Sequence, residues 1–230
     1  MKFGFTDLHQ DEEAWEFGWK HMIQVLWREL FTLIKANLCF FLFCIPIVTI
    51  PAAVTAIHNI CVDAVRGKPV KVMRAYGNAL KTRYLASFGA LAILAGLIVL
   101  GCYGTTFYWE WPFPVPMMRM IILLPAAFAV VGILMIPYCF CMLACMDLPL
   151  GKVIKNSFLL VFLNLRFSIC GGVIGTAMIL LQIQFWLPLL PVILSCGIAI
   201  AVYVSSYLAF YGIEKFVVIK NDDKVKENMV

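Results

Sequence analysis

The sequence predicts an all-α, polytopic transmembrane helical bundle of about five spans with amphipathic cytoplasmic helices. Three observations carry the prediction. Of the 230 residues, 63% are hydrophobic and only 13% are charged, with a mean hydropathy of +0.93, whereas soluble domains average roughly 45–50% apolar residues. The stretches Ala36–Val62, Tyr84–Trp109, Met120–Met146 and Phe167–Ile213 contain no Asp, Glu, Lys or Arg. Finally, the basic residues gather in alternate connections. The composition excludes a soluble monomer, a disordered chain and a disulfide scaffold.

About 20 apolar residues are needed to cross a hydrocarbon layer of about 30 Å. The first three charge-free stretches each supply one crossing. The fourth is long enough for two, and Pro188 and Pro191 mark the turn between them. The whole chain, 1–230, reads as one membrane domain, with spans near 30–51, 84–106, 118–146, 160–183 and 189–213. The expected cytoplasmic segments are 63–83, 147–159 and 214–230.

The connections set orientation, because Lys and Arg accumulate on the cytoplasmic side. Residues 63–83 hold Arg66, Lys68, Lys71, Arg74, Lys81 and Arg83, and residues 147–166 hold Lys152, Lys155 and Arg166. The expectation is a multi-pass plasma-membrane protein with a cytoplasmic C-terminus; five full crossings place the N-terminus outside, whereas residues 20–35 lying along the interface, or Ile45–Val62 folding back as a re-entrant element, would place it inside. Residues 1–20 carry five acids, the wrong polarity for a secretory signal, and are expected to be retained. The aromatic run from Phe107 to Phe113 reads as an interfacial belt.

Within the first span, Pro46-Ile-Val-Thr49-Ile-Pro51 predicts a break near the cytoplasmic end, since each proline removes a donor and clashes with the preceding turn. Beyond it, Thr55, His58 and Asn59 bring polar groups into apolar sequence, with Thr55 and Asn59 on one face. Two uses fit them: helix-to-helix hydrogen bonding, or a substrate or gating site. These six positions, Pro46, Thr49, Pro51, Thr55, His58 and Asn59, form the candidate polar site or hinge.

The first basic connection reads as an amphipathic helix from Pro69. Lys71, Arg74, Asn78 and Lys81 share one face, while Val72, Met73, Tyr76, Leu80 and Tyr84 lie opposite, a pattern suited to an anionic leaflet. Arg83 falls off this pattern. Lys152-Val-Ile-Lys155 partly repeats Lys71-Val-Met-Arg74, and Ile136-Pro137 echoes Ile45-Pro46, which suggests two related hairpins. Lys68, Lys71, Arg74, Lys81, Lys152 and Lys155 are therefore the candidate partner or lipid surface. Asp147 with Pro149 predicts a helix cap. Gly171 and Gly175 predict a face for close helix approach, within the chain or to a second copy in a homo-oligomer.

No cofactor or metal is expected. The nine cysteines include no Cys-x-x-Cys pair, and no His or Met set completes a site around Cys141 and Cys145. Metalloprotease, nucleophile-elbow and phosphate-loop motifs are missing from the sequence, so no enzyme is expected. The basic residues line membrane connections, which argues against nucleic acid as a partner.

Three stretches resemble a known family. Ile45-Pro-Ile-Val-Thr-Ile-Pro-Ala-Ala-Val-Thr-Ala56, Val65-Arg-Gly-Lys68 and Met73-Arg-Ala-Tyr-Gly-Asn-Ala-Leu-Lys81 are similar to the YesL-like bacterial membrane proteins, a domain of unknown function. Asp147-Leu-Pro-Leu-Gly-Lys-Val-Ile-Lys-Asn-Ser-Phe158 resembles that family's second cytoplasmic segment. Pro51 stands where the family usually has glycine. The resemblance implies a several-span protein of mainly Gram-positive bacteria, whose genes often lie beside those for carbohydrate uptake. Together these readings favour a non-enzymatic accessory or regulator of carbohydrate uptake that acts through protein or lipid contacts, with a sugar-transporter component as a partner beside the bilayer itself. The alternative is a small transporter in its own right.

Overall fold

The computed structural model describes residues 18–110 and 120–215. Among these residues every regular element is helical. The order is α1 (Trp19–Arg28), α2 (Leu30–Cys44), α3 (Ile50–Val65), α4 (Val72–Thr82), α5 (Tyr84–Glu110), α6 (Leu123–Cys145), α7 (Leu150–Leu163), α8 (Leu165–Gln184), α9 (Trp186–Val192) and α10 (Ile198–Ile213). A wider-wound π segment, Ile193–Gly197, joins α9 to α10 without interrupting the rod. Among the described residues, five helical stretches are long and apolar enough to cross a membrane: Ile47–Val65, Tyr84–Glu110, Met120–Cys145, Leu165–Gln184 and Trp186–Ile213.

The first expected span, 30–51, is two helices. Pro46 takes an extended conformation (φ −79°, ψ 116°) and stops α2, which is 15 residues long. Pro51 then sits in the first turn of α3, where a missing donor costs nothing. The chain turns back here: the Arg28 guanidinium donates to the Ala64 carbonyl (3.4 Å), so the start of α2 lies beside the end of α3. The proline break is thus the tip of a helical hairpin, at the N-terminal end of α3, with Tyr76 of the basic connection stacked on Phe43 beside it. The Tyr207 hydroxyl donates to the Gly18 carbonyl and the Tyr203 hydroxyl to that of Met22, which hold α1 along α10 beside the end of α3.

Two other boundaries differ from the sequence reading. Residues 160–163 belong to α7, and α8 starts only after the bend at Asn164. Pro188 and Pro191 do not form the turn between the last two spans. The bend is at Phe185, and both prolines lie within α9, Pro188 in its first turn, where its lack of an N–H is harmless. The suggested hairpin repeat fails at its prolines: Pro46 ends a helix, whereas Pro137 is buried inside continuous α6. Residues 111–119, 216–230 and 1–17 lie outside the described residues, and with them Trp111 and Phe113 of the aromatic belt, the acidic segment and the C-terminal tail.

The core forms where α3, α6 and α10 meet. Ile57, Cys61, Val62 and Val65 pack with Met135, Cys139, Phe140, Met142 and Leu143 and with Tyr203, Tyr207 and Phe210. A second cluster joins Ala36 of α2, Ala52, Ala53, Ala56 and Ile60 of α3, and Tyr76 and Ala79 of α4. Alanines at these positions let the two arms of the hairpin approach closely, leaving one slot that the Tyr76 ring fills.

Candidate functional site

The predicted loop helix is present as α4; its polar face is the one expected, but Met73, expected on the apolar face, is exposed. Lys71, Arg74, Asn78 and Lys81 are exposed, while Tyr76 and Ala79 are buried. Tyr76 fixes α4 in place: its hydroxyl donates to the Ala36 carbonyl (2.8 Å) and its ring stacks on Phe43 at 5.0 Å. Burial raises the phenol above its usual pKa, so this donor keeps its proton. Upstream, α3 ends on Gly67 at φ +68°, the left-handed conformation that glycine adopts without strain. The N–H groups of Gly67 and Lys68 bond back to the carbonyls of Ala64 (3.2 Å) and Asp63 (3.0 Å), a Schellman closure. That turn projects Lys68 outward and accounts for the Arg-Gly-Lys string.

The cation that broke the amphipathic pattern has its own role. Arg83 turns inward, donating to the Leu143 carbonyl and to that of Met146 (2.7 Å), and it pairs with Asp147 at 2.5 Å. Its charge thereby meets the exposed carbonyl end of α6, where the helix dipole favours a cation. Asp147 was expected to cap α7. Pro149 takes the cap position without a side-chain bond, because the Asp147 carboxylate is engaged by Arg83. Arg83 thus pins the start of α5, the end of α6 and the entry to α7 to one another. On α7, Lys152 and Lys155 are exposed.

The candidate polar site resolves into separate structural bonds. Thr49 closes the hairpin tip, its hydroxyl lying against the carbonyls of Phe43 and Pro46. Thr55 is buried and shares a 2.7 Å hydrogen bond with Ser87 of α5. His58 is buried with Nδ1 2.8 Å from the Val54 carbonyl and its ring 5.5 Å from that of Phe140. Asn59 is only half-buried. None of these side chains lines the groove of about 430 Å3 between α8 and α9–α10, whose walls include Val173, Ala177, Met178, Leu181 and Ile200. Gly171 and Gly175 are buried against Ser205 and Leu208 of α10 in the same chain. Of the two neighbours expected for that face, the one present is α10 of the same chain.

Sequence reasoning missed Asn37, which is fully buried in α2. Its amide donates to the carbonyls of Ile193 (2.7 Å) and Leu194 (2.9 Å) and accepts from the Ala199 N–H (3.1 Å). Gln182 adds a bond to the Gly197 carbonyl (3.1 Å). A π segment displaces backbone groups from the regular ladder, and these two amides satisfy them where no water is present. The signal available was an amide within a charge-free stretch, Asn37 in α2 and Gln182 in α8.

Among the described residues, no group of three His, Cys, Asp or Glu side chains converges to hold a metal ion. No curated protein and no solved structure matches the chain. Residues 33–104, from α2 through most of α5, match the model of the family described as "Protein of unknown function, DUF624", the same family that the YesL-like motifs resemble.

Proposed function

We propose that this chain is a non-enzymatic plasma-membrane protein that assists or regulates carbohydrate uptake by presenting a rigid basic surface. The observation that supports the reading is the division of labour among its polar residues. Thr49, Thr55, His58, Asn37 and Gln182 are engaged in bonds within the protein. Lys68, Lys71, Arg74, Lys81, Lys152 and Lys155 face outward on helices anchored by Tyr76 and by the Arg83–Asp147 pair. Polar groups held in mutual bonds stabilise a bundle, whereas exposed cations on a fixed scaffold are available to a partner. The test is photo-crosslinking from position 73 or 155 in cells taking up sugar. Adducts with a sugar-transport component are expected. Their absence, together with normal uptake after deletion of the gene, would refute the reading.

A second reading, a small transporter, draws on the broken α2–α3 hairpin and on the π segment beside the groove, since interrupted helices build many transport sites. It requires flux of a sugar or ion through the purified protein in liposomes, and its failure across a broad panel would exclude it.

A further inference from the structure

We propose that α1, α4 and α7 form a collar that binds anionic phospholipid headgroups at the basic end of the bundle. This rests on the reading of α4 and α7 as an interaction surface, and it is independent of any link to uptake. Charge is the first argument. Among the described residues the ion pairs are Arg28–Glu29 and Arg83–Asp147. The carboxylates of Glu29 and Asp147 are therefore already occupied, while Lys71, Arg74, Lys81, Lys152 and Lys155 have no ion-pair partner among the described residues; Lys68 lies within electrostatic reach of the Asp63 carboxylate. The Arg83–Asp147 pair also joins the end of α4 to the entry of α7, so Lys81 and Lys152 flank the same junction.

The second argument is the company these cations keep. On α1, Met22 and Val25 face the bundle, whereas Trp19, Ile23 and Trp27 form an exposed stripe, Trp27 being 72% exposed. Lys20 and Arg28 border that stripe. Met73 is exposed between Lys71 and Arg74 on α4. On α7, Phe158, Leu159 and Phe162 are exposed beyond Lys152 and Lys155. An acidic protein surface in water would match the cations and leave the indoles and phenyl rings unmatched. A phospholipid matches both, with its phosphate meeting Lys and Arg and its glycerol and acyl region meeting the apolar side chains at the depth where tryptophan accumulates.

The experiment uses the full chain reconstituted in bilayers of equal phosphatidylglycerol and phosphatidylcholine, with native mass spectrometry of the lipids retained on extraction. The wild-type protein should retain the anionic lipid about fivefold or more over the zwitterionic one, a preference that fades in high salt. The variant Lys71→Gln/Arg74→Gln/Lys81→Gln/Lys152→Gln/Lys155→Gln should lose that preference while unfolding at the wild-type temperature in pure phosphatidylcholine. The conservative Lys71→Arg/Lys81→Arg/Lys152→Arg/Lys155→Arg variant should keep it. Equal retention of both lipids by the wild type would overturn the proposal, as would undiminished preference in the glutamine variant. So would equal retention accompanied by salt-sensitive capture of an acidic protein, which would assign the surface to a protein partner. A wild-type lipid preference that the glutamine variant loses, with its sugar uptake unaltered, would uphold the collar and refute the uptake reading.

Discussion

Helices α3 and α5 are both apolar and separated in the chain only by the short α4, yet they are held in opposite ways. In the stretch of α3 suited to crossing a membrane, 61% of the residues are buried within the protein, against 22% for α5. α3 touches α2, α4, α5, α6 and α10 and uses polar bonds at Thr55 and at its Gly67 closure. α5 packs chiefly on α6, and there the contact is made by glycine. A Cβ on Gly101 would lie 2.6 Å from the Ala129 backbone nitrogen and 2.8 Å from the Pro125 carbonyl oxygen. Where a helix has lipid on most sides, backbone proximity supplies the dispersion contact that the bilayer cannot. A helix surrounded by protein can carry polar groups, because each finds a partner.

This contrast can be broken at either end. The largest effect is expected at Gly101: Gly101→Leu must push the α6 backbone away and should cost more than about 3 kcal/mol, read by chemical unfolding in micelles. Gly96→Ala in the same helix meets nothing within 4 Å and should be neutral or stabilising by up to about 1 kcal/mol. Next comes Asn37→Leu, which strips the π segment of its amide bonds and should destabilise by about 2–3 kcal/mol. Arg83→Gln exposes the end of α6 and frees Asp147, an expected loss of about 1.5–3 kcal/mol with increased protease cleavage between α4 and α7. The smallest effect is the coupling between Thr55 and Ser87. A double-mutant cycle with Thr55→Val and Ser87→Ala should give about 0.6–1.7 kcal/mol. Zero coupling there would remove the structural role assigned to Thr55.

Much of this architecture is legible from charge alone. Apolar runs between basic connections locate α5, α6 and α8, and the three- and four-residue spacing of Lys71, Arg74, Asn78 and Lys81 locates α4 and its outer face. The hairpin tip is less legible. Pro46 and Pro51 announce a break, but a break does not say whether the chain continues across or turns back. That is decided by a contact 36 positions apart, Arg28 with Ala64. Arg83 and Asn37 were opaque for the same reason. Each acts on backbone groups distant in sequence: the amphipathic pattern set Arg83 apart from the outer face, but nothing local named the helix end it caps. Gly171 and Gly175 announced close approach without naming the neighbour, which proves to be α10 of the same chain.

The central claim is that this protein works through its basic surface, with the polar groups inside the bundle serving only the fold. Sugar uptake by cells carrying Lys71→Gln/Arg74→Gln/Lys81→Gln, compared with cells carrying Thr55→Val at equal membrane abundance, tests it most directly. The account predicts reduced uptake for the surface variant and wild-type uptake for Thr55→Val. Normal uptake in the surface variant with loss in Thr55→Val would contradict it and place the function inside the bundle.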